Sequence, residues 1–477
     1  MLRKLGWLIE AGRVSSRAGL CIPLLLLSAC DVLWEPIEST EEITSTPQAI
    51  DSITVEFDVD QLTPPGNETI KLTLPGKLKI VAKLTDFENT GDGNRSFIWR
   101  GDIKDHPGGT VVLSVINGKL LGDIHTSGGR MFTIRYIRRN VALVEELDAA
   151  KFPREEAAGR EIEQLPTRPG ALVVRPGTIR RSTALALLPP HVSGSPSDEA
   201  EPPSEDAGPA AEVVEQPASE QQLAASTIRY VDVLVLYTAG AAAWVNGDPE
   251  LVKGKIDQAI SDTNNSYKDS LVDHEVRLAF HKDTKYTEQS ALDLDWLTLK
   301  DRLDSRFQEV NGLITTHQAD VVVLLTKVVP EEAQGGSCGA ASQMHKVKKS
   351  FCASAVAVVP INCATTLHSF AHELGHVMGA DHNNGAFVFS PPFDHSRGYV
   401  HPGNKWRTIM AEPTTQCAPP ACPRIRHWSN PYVEYAPTEF TGSPGEDNAK
   451  SLNLTASYVS EFSDECITNQ LLPANGY

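Results

Sequence analysis

Cysteine is scarce and unevenly placed in this 477-residue chain: none of its eight cysteines lies between Asp31 and Thr227. No two of them follow the Cys-x-x-Cys spacing of common metal sites and redox motifs. The sequence therefore argues against a thiolate-bound metal. Six cysteines lie beyond residue 337, and an even number in an exported domain predicts three disulfides, with fifteen pairings open.

The N-terminus lacks an apolar run long enough to span a bilayer. The run Leu20–Leu27 follows several basic residues and is short, so residues 1–30 are predicted to be a signal peptide. The run ends in Leu-Ser-Ala-Cys and resembles a bacterial lipoprotein signal, in which Cys30 would be lipidated and become the mature N-terminus. An ordinary signal peptide is the alternative.

Positive charge is in short supply. The net charge is −18, which argues against nucleic acid or anionic lipid as the main partner. Residues 189–222 contain eight acidic residues, many Pro, Ala and Ser, and no Lys or Arg. Such a composition cannot bury enough apolar surface to offset chain entropy, so residues 154–226 are predicted to be a disordered acidic linker.

Residues 52–153 show the alternating apolar pattern of β-strands, as in Ile53, Val55 and Phe57. Asn117–Gly118 between two apolar runs predicts a hairpin turn. Four or more short strands with turn signals predict a small all-β domain, either a sandwich or a barrel. The polar, acidic residues 31–51 ahead of it are predicted to be a tether.

The C-terminal half alternates apolar strands with amphipathic helices. This alternation predicts an α/β domain with a mixed twisted sheet, a smaller C-terminal part and a cleft between them. The expected strands are 230–237, 276–280, 320–325 and 355–359, and the expected helices begin at Pro249 or cover 294–314, 366–378 and 446–462.

One motif in this half carries chemistry. His372 and His376 are four residues apart, so they lie on one face of the expected helix and can reach one metal ion. Glu373 sits beside the first histidine, where it can act on a water molecule without becoming a ligand. Gly379 lets the chain leave the helix and return His382 as a third ligand. Three protein nitrogens leave one tetrahedral position open, which indicates a catalytic zinc site.

The stretch from His372 to His382, followed by Met410 in Thr-Ile-Met-Ala, is the metzincin pattern. The opening segment 228–235 and the Trp-Ser-Asn-Pro segment at 428–431 resemble the reprolysin (adamalysin) branch of these zinc endopeptidases. Within that branch the chain resembles the bacterial peptidyl-Asp metalloendopeptidases. The resemblance covers about residues 228–469, so residues 227–469 are expected to form the protease domain and 470–477 a tail.

The resemblance implies an enzyme that binds one zinc ion and hydrolyses protein or peptide substrates, with Glu373 as the base and Met410 packed beneath the metal. It also implies that the β-rich domain is a propeptide that inhibits the enzyme within the same chain. An independent binding module is the alternative for that domain. By the same resemblance Cys352 pairs with Cys466, which leaves Cys338 with Cys363 and Cys417 with Cys422.

Two further sites rest on the resemblance. A structural calcium site would use the carboxylates of Asp232 and Asp320, the carbonyl of Cys466 and the side chain of Asn469, since oxygen ligands suit calcium. The alternative is two capping aspartates and an exposed asparagine. Arg424 and Arg426 would wall the pocket for the residue after the scissile bond, where an arginine pairs with an acidic side chain. Two solvated arginines are the alternative there.

These features predict an exported zinc endopeptidase of the bacterial cell envelope, made as a latent proenzyme anchored through Cys30. A preference for aspartate after the scissile bond follows from the same resemblance. The alternative is a cell-envelope binding lipoprotein whose protease domain is degenerate.

We predict that latency does not depend on a propeptide thiolate bound to the metal, because residues 31–227 hold no cysteine. A side chain such as Asp105, His106, Asp123 or His125 would block the metal instead, or the propeptide would fill the cleft. A thiol-modifying reagent should therefore leave the proenzyme latent in a casein-hydrolysis assay. Activation by that reagent would contradict the prediction.

Overall fold

The computed structural model describes residues 32–38, 43–62, 68–91, 95–153, 228–301, 304–328, 337–384, 390–403, 405–414, 417 and 422–469. The predicted signal peptide with Cys30, the acidic linker and the tail lie outside these residues. The described residues before and after the linker belong to one compact unit.

Nine antiparallel strands form the described residues of the N-terminal part. They are β1 (Trp34–Ile37), β2 (Ala49–Phe57), β3 (Thr69–Leu74), β4 (Leu78–Asn89), β5 (Ser96–Ile103), β6 (Thr110–Ile116), β7 (Lys119–His125), β8 (Met131–Arg138) and β9 (Val141–Leu147). Their order in the sheet is β1-β2-β9-β8-β7-β6-β5-β4-β3. Asn117 and Gly118 join β6 to β7 as predicted, and both adopt the positive φ that such a two-residue turn requires.

The two edge strands of this sheet meet, so the sheet closes as a barrel. The N–H of Leu33 donates to the carbonyl of Lys71 (3.2 Å), and the indole of Trp34 donates to the carbonyl of Thr73 (2.7 Å). Alternating apolar side chains such as Trp99 and Phe132 fill the interior. The predicted all-β domain is confirmed, but the predicted tether at 31–51 is corrected: it contains β1, because Trp34 is buried and β1 pairs with β2.

A mixed five-stranded sheet frames the C-terminal part, as predicted. In sheet order its strands are β11 (His274–Asp283), β10 (Arg229–Tyr237), β12 (Val321–Thr326), β14 (Val356–Pro360) and β13 (Ala340–Ala341). The first four run parallel and β13 is antiparallel to β14. Every residue of β12 is buried, which explains its continuous apolar sequence.

Seven helices and a small hairpin complete the described part of this half. They are α1 (Ala239–Trp244), α2 (Pro249–Asp269), α3 (Leu292–Lys300), α4 (Val310–His317), α5 (Ser369–Val377), α6 (Asn448–Val459) and α7 (Phe462–Thr468), with β15 (Glu434–Ala436) and β16 (Glu439–Phe440). Among the described helices none has the length and apolar character needed to cross a membrane.

Two predicted helices are corrected. The helix predicted at 294–314 is divided into α3 and α4, because the side chain of Asp304 accepts from the N–H of Arg306 and caps a separate short turn. The helix predicted at 446–462 ends at Val459, and α7 begins three residues later. In both cases the helical spacing of apolar residues continues past the point where the helix ends, so the sequence pattern does not reveal the break.

The outer face of the barrel packs along α2. Ile116 of β6 and Leu121 of β7 join the same apolar cluster as Val252 and Ile256 of α2. At the closest approach, a Cβ added to Gly254 would lie 2.3 Å from the Cδ1 atom of Ile116. A larger residue at this position of α2 would therefore force the side chain of Ile116 to shift.

Two buried ion pairs of opposite polarity cross the same interface. Asp123 of the barrel pairs with Lys255 of α2 at 3.0 Å, and Arg100 of the barrel pairs with Asp262 of α2. All four side chains are less than a tenth exposed. Removing one partner of a buried pair typically costs about 3–5 kcal/mol, so each charge requires the other half of the chain.

Three disulfides join the described cysteines in the pairs that the resemblance implied. Cys338–Cys363 links the segment before β13 to the segment after β14, and Cys352–Cys466 links the chain before β14 to α7. Cys417–Cys422 closes a short loop after Met410.

We predict that acid destabilises the folded protein through His274. This residue is 2% exposed at the start of β11, and its ring lies 4.7 Å from that of Tyr267. Burial, with the nearby Arg229, lowers the pKa of His274 from 6.5 to about 4. Between these pH values the unfolded chain binds a proton that the folded chain does not, so stability decreases as the pH falls, by up to roughly 3 kcal/mol.

Denaturant unfolding near neutral pH and near the folded pKa of His274 measures this loss. His274→Phe keeps a ring but cannot titrate, so its acid loss should be smaller. Burial raises the pKa of Asp320 to about 6, which acts in the opposite direction but equally in both proteins. An equal acid loss in the two proteins would show that His274 is not responsible.

Candidate metal centre

The candidate metal centre is built on α5 and the turn that follows it. Helix α5 starts three residues later than predicted, after His368, whose φ is 57°. It ends at Val377, and Gly379 follows with φ of 87°, a left-handed conformation that glycine adopts without strain. This turn brings His382 back toward α5, as the motif predicted.

The three predicted histidine ligands converge in a buried position. The Nε2 atom of His382 lies 3.1 Å from the Nε2 atoms of both His372 and His376. Within the described ranges, these histidines form the one group of three or more His, Cys, Asp or Glu residues suited to hold a metal ion. Three imidazole nitrogens at this spacing fit a tetrahedral zinc ion, whose Zn–N distances are about 2.0–2.1 Å.

Hydrogen bonds orient two of the rings. The Nδ1–H of His372 donates to the carbonyl of Ile409 (2.9 Å), and the Nδ1 of His376 lies 2.6 Å from the Oε1 of Gln343. Burial and the neighbouring histidines lower the pKa of His376 well below its usual value, which keeps the ring neutral. Each Nε2 lone pair therefore faces the metal position. No local sequence pattern marks Gln343, because it lies 33 positions from its partner.

Met410 lies against α5 where the resemblance placed it. A Cβ added to Gly375, the residue before His376, would lie 2.7 Å from the sulfur of Met410 and 2.8 Å from the ring of Trp428. Both side chains are fully buried. They therefore support the backbone between the two helical ligands.

Glu373 is fully buried beside His372 on α5. A Cβ added to Gly339 would lie 1.9 Å from its Oε1 atom, so a larger residue at 339 would displace the carboxylate. Gly339 directly follows Cys338, which is bonded to Cys363. No local sequence pattern marks Gly339, since its role depends on a contact across the fold.

Arg424 and Arg426 line a cavity of about 620 Å³ beside the N-terminal end of α5. Arg424 is buried and donates to the carbonyl of Leu367 (2.9 Å) and to Glu412 (3.1 Å). Arg426 donates from Nε and Nη2 to one carboxylate oxygen of Asp269, at 3.2 and 2.8 Å. Both predicted pocket residues thus make ion pairs within the protein, which disagrees with the alternative of two solvated arginines.

The barrel forms the opposite wall of this cavity and holds the segment before α5. The carboxylate of Asp123 accepts from the hydroxyls of Thr365 (2.6 Å) and Thr366 (2.7 Å) and from Gln258 (2.8 Å), in addition to its ion pair with Lys255. Burial alone would raise the pKa of Asp123, but Lys255 and the two hydroxyls hold it well below its usual range. Asp123 is therefore ionised in the interface.

Of the other barrel residues considered as metal blockers, His125 contacts the segment before α5 directly. The Nε2 of His125 lies 2.7 Å from the carbonyl of Thr366, and its ring stacks on His368. Asp105 and His106 belong to the turn between β5 and β6, where a Cβ added to Gly108 would lie 2.1 Å from the hydroxyl of Tyr435. In the described part of the chain, the metal-binding group contains only the three histidines. The barrel contacts the protease half at Thr366 and at Tyr435 and adds no residue to that group.

The residues of the predicted calcium site are partly brought together. The N–H of Asp232 donates to Asp320 (2.9 Å), and Asp320 also accepts from the N–H of Ser463 (3.0 Å) in α7. Both oxygens of Asp232 accept from Arg277, at 2.7 and 2.6 Å. The side chain of Asn469 donates to the carbonyl of Glu465 (3.2 Å). These carboxylates have protein partners, and calcium binding stays a prediction.

Comparisons with known proteins agree with this geometry. Residues 227–429 match metallopeptidase family M12, reprolysin type. Proteins named peptidyl-Asp metalloendopeptidase are similar to this chain: one from Xanthomonas campestris is 28% identical over 89% of this chain and 88% of its own length. One from Stenotrophomonas maltophilia is 25% identical over 95% of this chain and 96% of its own length. One from Pseudomonas fragi is 31% identical over 26% of this chain and 74% of its own length. The solved metalloproteinase-II from Bacteroides fragilis matches with a TM-score of 0.32 at 12% identity, over 81% of this chain and 90% of that one.

We predict that Gln343 supports metal affinity. Gln343→Ala removes the acceptor that orients His376, and loss of such a partner typically weakens metal binding about 10–100-fold. Gln343→Glu keeps an oxygen acceptor and should retain most of the affinity. Zinc titration against a competing chelator measures the difference, and equal affinity of the alanine variant and wild type would refute the role.

Proposed function

The chain belongs to metallopeptidase family M12 and is a zinc metalloendopeptidase, and from this premise we propose that it is made latent and prefers aspartate after the scissile bond. The observation that carries the chemistry is the convergence of three Nε2 atoms beside the buried Glu373.

The three histidines and Glu373 have separate roles in the proposed reaction. His372, His376 and His382 would hold the zinc ion. When bound, zinc would act as a Lewis acid and lower the pKa of a water ligand to about 7. Glu373 accepts a proton from the attacking water and delivers it to the leaving amine.

The preference for aspartate is supported by the relatives' name and by the charge of the cavity wall. The side chain of Arg424 is buried, donates to the carbonyl of Leu367 just before α5 and already binds the carboxylate of Glu412. A guanidinium in such a place binds a carboxylate with two parallel hydrogen bonds when the geometry permits. The side chain after the scissile bond would enter this cavity, with Arg426 at its edge.

Latency is supported by the position of the barrel. It forms one wall of the same cavity and contacts both Thr366 and Tyr435. We assign inhibition to this occlusion: a substrate segment cannot enter the cavity while the barrel is docked. A cut in the linker would allow the barrel to leave.

Export is supported by the three disulfides, which form in oxidising compartments. The proposed lipid anchor at Cys30 would hold the proenzyme at the envelope, and cleavage after the barrel would release the protease. Cell fractionation with N-terminal sequencing of active enzyme tests this, since active chains that still begin at Cys30 would contradict it. The buried triad and Glu373 argue against the alternative of a binding lipoprotein with a degenerate protease domain.

We predict that the full-length chain, after limited proteolysis of its linker, hydrolyses peptides with Asp after the scissile bond faster than matched Asn or Ala peptides. Glu373→Gln should abolish hydrolysis of all three while zinc content stays unchanged, because glutamine keeps the shape but cannot accept the proton. Metal analysis and peptide kinetics measure both outcomes. Near-normal turnover by the variant would exclude Glu373 as the base, and equal rates on the three peptides would exclude the aspartate preference.

We predict that Asp123→Asn makes the uncut proenzyme active. The change leaves Lys255 buried without its charge partner, and a cost of about 3–5 kcal/mol shifts the docked barrel toward the open state by more than about 100-fold. Casein hydrolysis by uncut chains measures the effect.

Glu56→Gln, at an exposed carboxylate on β2, is the matched control and should stay latent. After linker proteolysis both variants should reach wild-type activity, which would show that the protease domain is intact. An Asp123→Asn chain that stays latent before proteolysis would overturn the proposed role of the barrel contact.

A further inference from the structure

The third metal ligand, His382, lies on the turn after α5, whereas the other two ligands lie on the helix itself. A helix positions its side chains through its own backbone hydrogen bonds, but a turn needs contacts from outside to be equally precise. The N–H of His382 donates to the side chain of Asp381 (2.8 Å), and both residues are buried. The backbone of His382 therefore depends on what holds Asp381.

The side-chain amide of Asn448, the first residue of α6, holds Asp381 on both sides of its backbone. Its Oδ1 accepts from the N–H of Asp381 (3.2 Å), and its Nδ2 donates to the carbonyl of Asp381 (3.0 Å). Both residues are fully buried. An amide carries its donor and its acceptor on separate atoms, so one side chain can bind the N–H and the carbonyl of the same residue.

Helix α6 also contacts the other end of this turn. The hydroxyl of Thr455 donates to the carbonyl of Met378 (2.7 Å), the first residue after α5. Asn448 and Thr455 are seven residues apart, so they lie on one face of α6, two helical turns from each other. This face of α6 therefore holds the turn at Met378 and at Asp381, on either side of Gly379.

Two further residues fix Asn448 and Asp381 relative to each other. The hydroxyl of Ser429 accepts from the N–H of Asn448 (2.9 Å) and donates to the carbonyl of Arg397 (2.6 Å). The guanidinium of Arg397 in turn donates to the carboxylate of Asp381 (2.7 Å). Ser429 directly follows Trp428, which packs against α5. The segment 428–429 thus supports the helical ligands and the turn that carries the third one.

From these contacts we infer that Asn448 is a positioning residue for the metal centre. Its amide fixes the backbone of Asp381, Asp381 fixes the N–H of His382, and the third ligand is thereby kept beside the two rings on α5. Loss of this amide should weaken zinc binding although all three ligands remain. The inference concerns zinc binding by the three histidines and does not depend on the proposed aspartate preference, latency or lipid anchor.

Asn448→Ala in the full-length chain removes both hydrogen bonds, and alanine is well tolerated in helices. Zinc affinity, measured by titration against a competing chelator, should fall about 10-fold, as for other residues that orient metal ligands. Cobalt(II) in place of zinc gives a second measurement, because its visible absorption depends on the number and geometry of its ligands. The variant should have a changed cobalt spectrum.

Unfolding experiments separate positioning from a purely structural role. A structural role alone would lower the stability of the metal-free and the zinc-loaded protein equally. A positioning role lowers the stability of the zinc-loaded protein more, because stabilisation by a bound ligand depends on its affinity. Asn448→Asp provides the test if the alanine variant does not fold: it keeps an acceptor for the N–H of Asp381, cannot donate to the carbonyl when ionised, and should also weaken zinc binding.

Asn453→Ala, further along α6, is the matched control. The amide of Asn453 makes the same pair of hydrogen bonds to a different turn, accepting from the N–H of Asp273 (2.9 Å) and donating to the carbonyl of Leu271 (3.1 Å). This variant should keep the zinc affinity and the cobalt spectrum of wild type. A folded Asn448 variant with wild-type zinc affinity and cobalt spectrum would overturn the inference. So would an equal loss of zinc affinity in Asn453→Ala, since general loosening of α6 would then be the cause.

Discussion

Three imidazole nitrogens converge in a buried position, with the Nε2 of His382 3.1 Å from those of His372 and His376, and this arrangement imposes the strictest requirement in the molecule. Their lone pairs repel one another unless a cation lies between them, so the surrounding structure must hold them in place. The spacing on α5 fixes two rings, the turn at Gly379 returns the third, and Ile409 and Gln343 set the ring orientations. Met410 and Trp428 then support α5 from behind.

The barrel meets this assembly through a contact of mixed character. Ile116 and Leu121 contribute apolar surface, but the pairs Asp123–Lys255 and Arg100–Asp262 place four charges in the same interface. Permanent interfaces are more apolar and resemble a domain core. Charged groups that become hydrated on separation reduce the penalty for exposing the α2 surface. The contact is therefore specific while docked, which suits the proposed departure of the barrel after linker cleavage.

The sequence alone was sufficient for features that depend on local spacing. The histidine motif, the Asn117–Gly118 turn and the buried strands each follow from residues within about a dozen positions. The disulfide pairs followed from resemblance. The division of the predicted helix at 294–314 was missed because capping by Asp304 competes with a continuous apolar pattern. Contacts such as that of Asp123 with Thr366 could not be predicted from the sequence, since the partners are 243 positions apart and neither belongs to a recognisable local pattern.

The bond between Cys338 and Cys363 has a consequence for the cell that makes this enzyme. The bond fixes Cys338, and the adjacent Gly339 lies against Glu373. Phe152, at the end of the barrel, packs against both cysteines. In the reducing cytosol these cysteines stay reduced, so the segment containing Gly339 is not yet held against Glu373 by a covalent bond. Such a dependence on oxidation would protect the cell's newly made proteins independently of the proposed occlusion by the barrel. The protease would then acquire its destructive capacity only after leaving the compartment where it was synthesised.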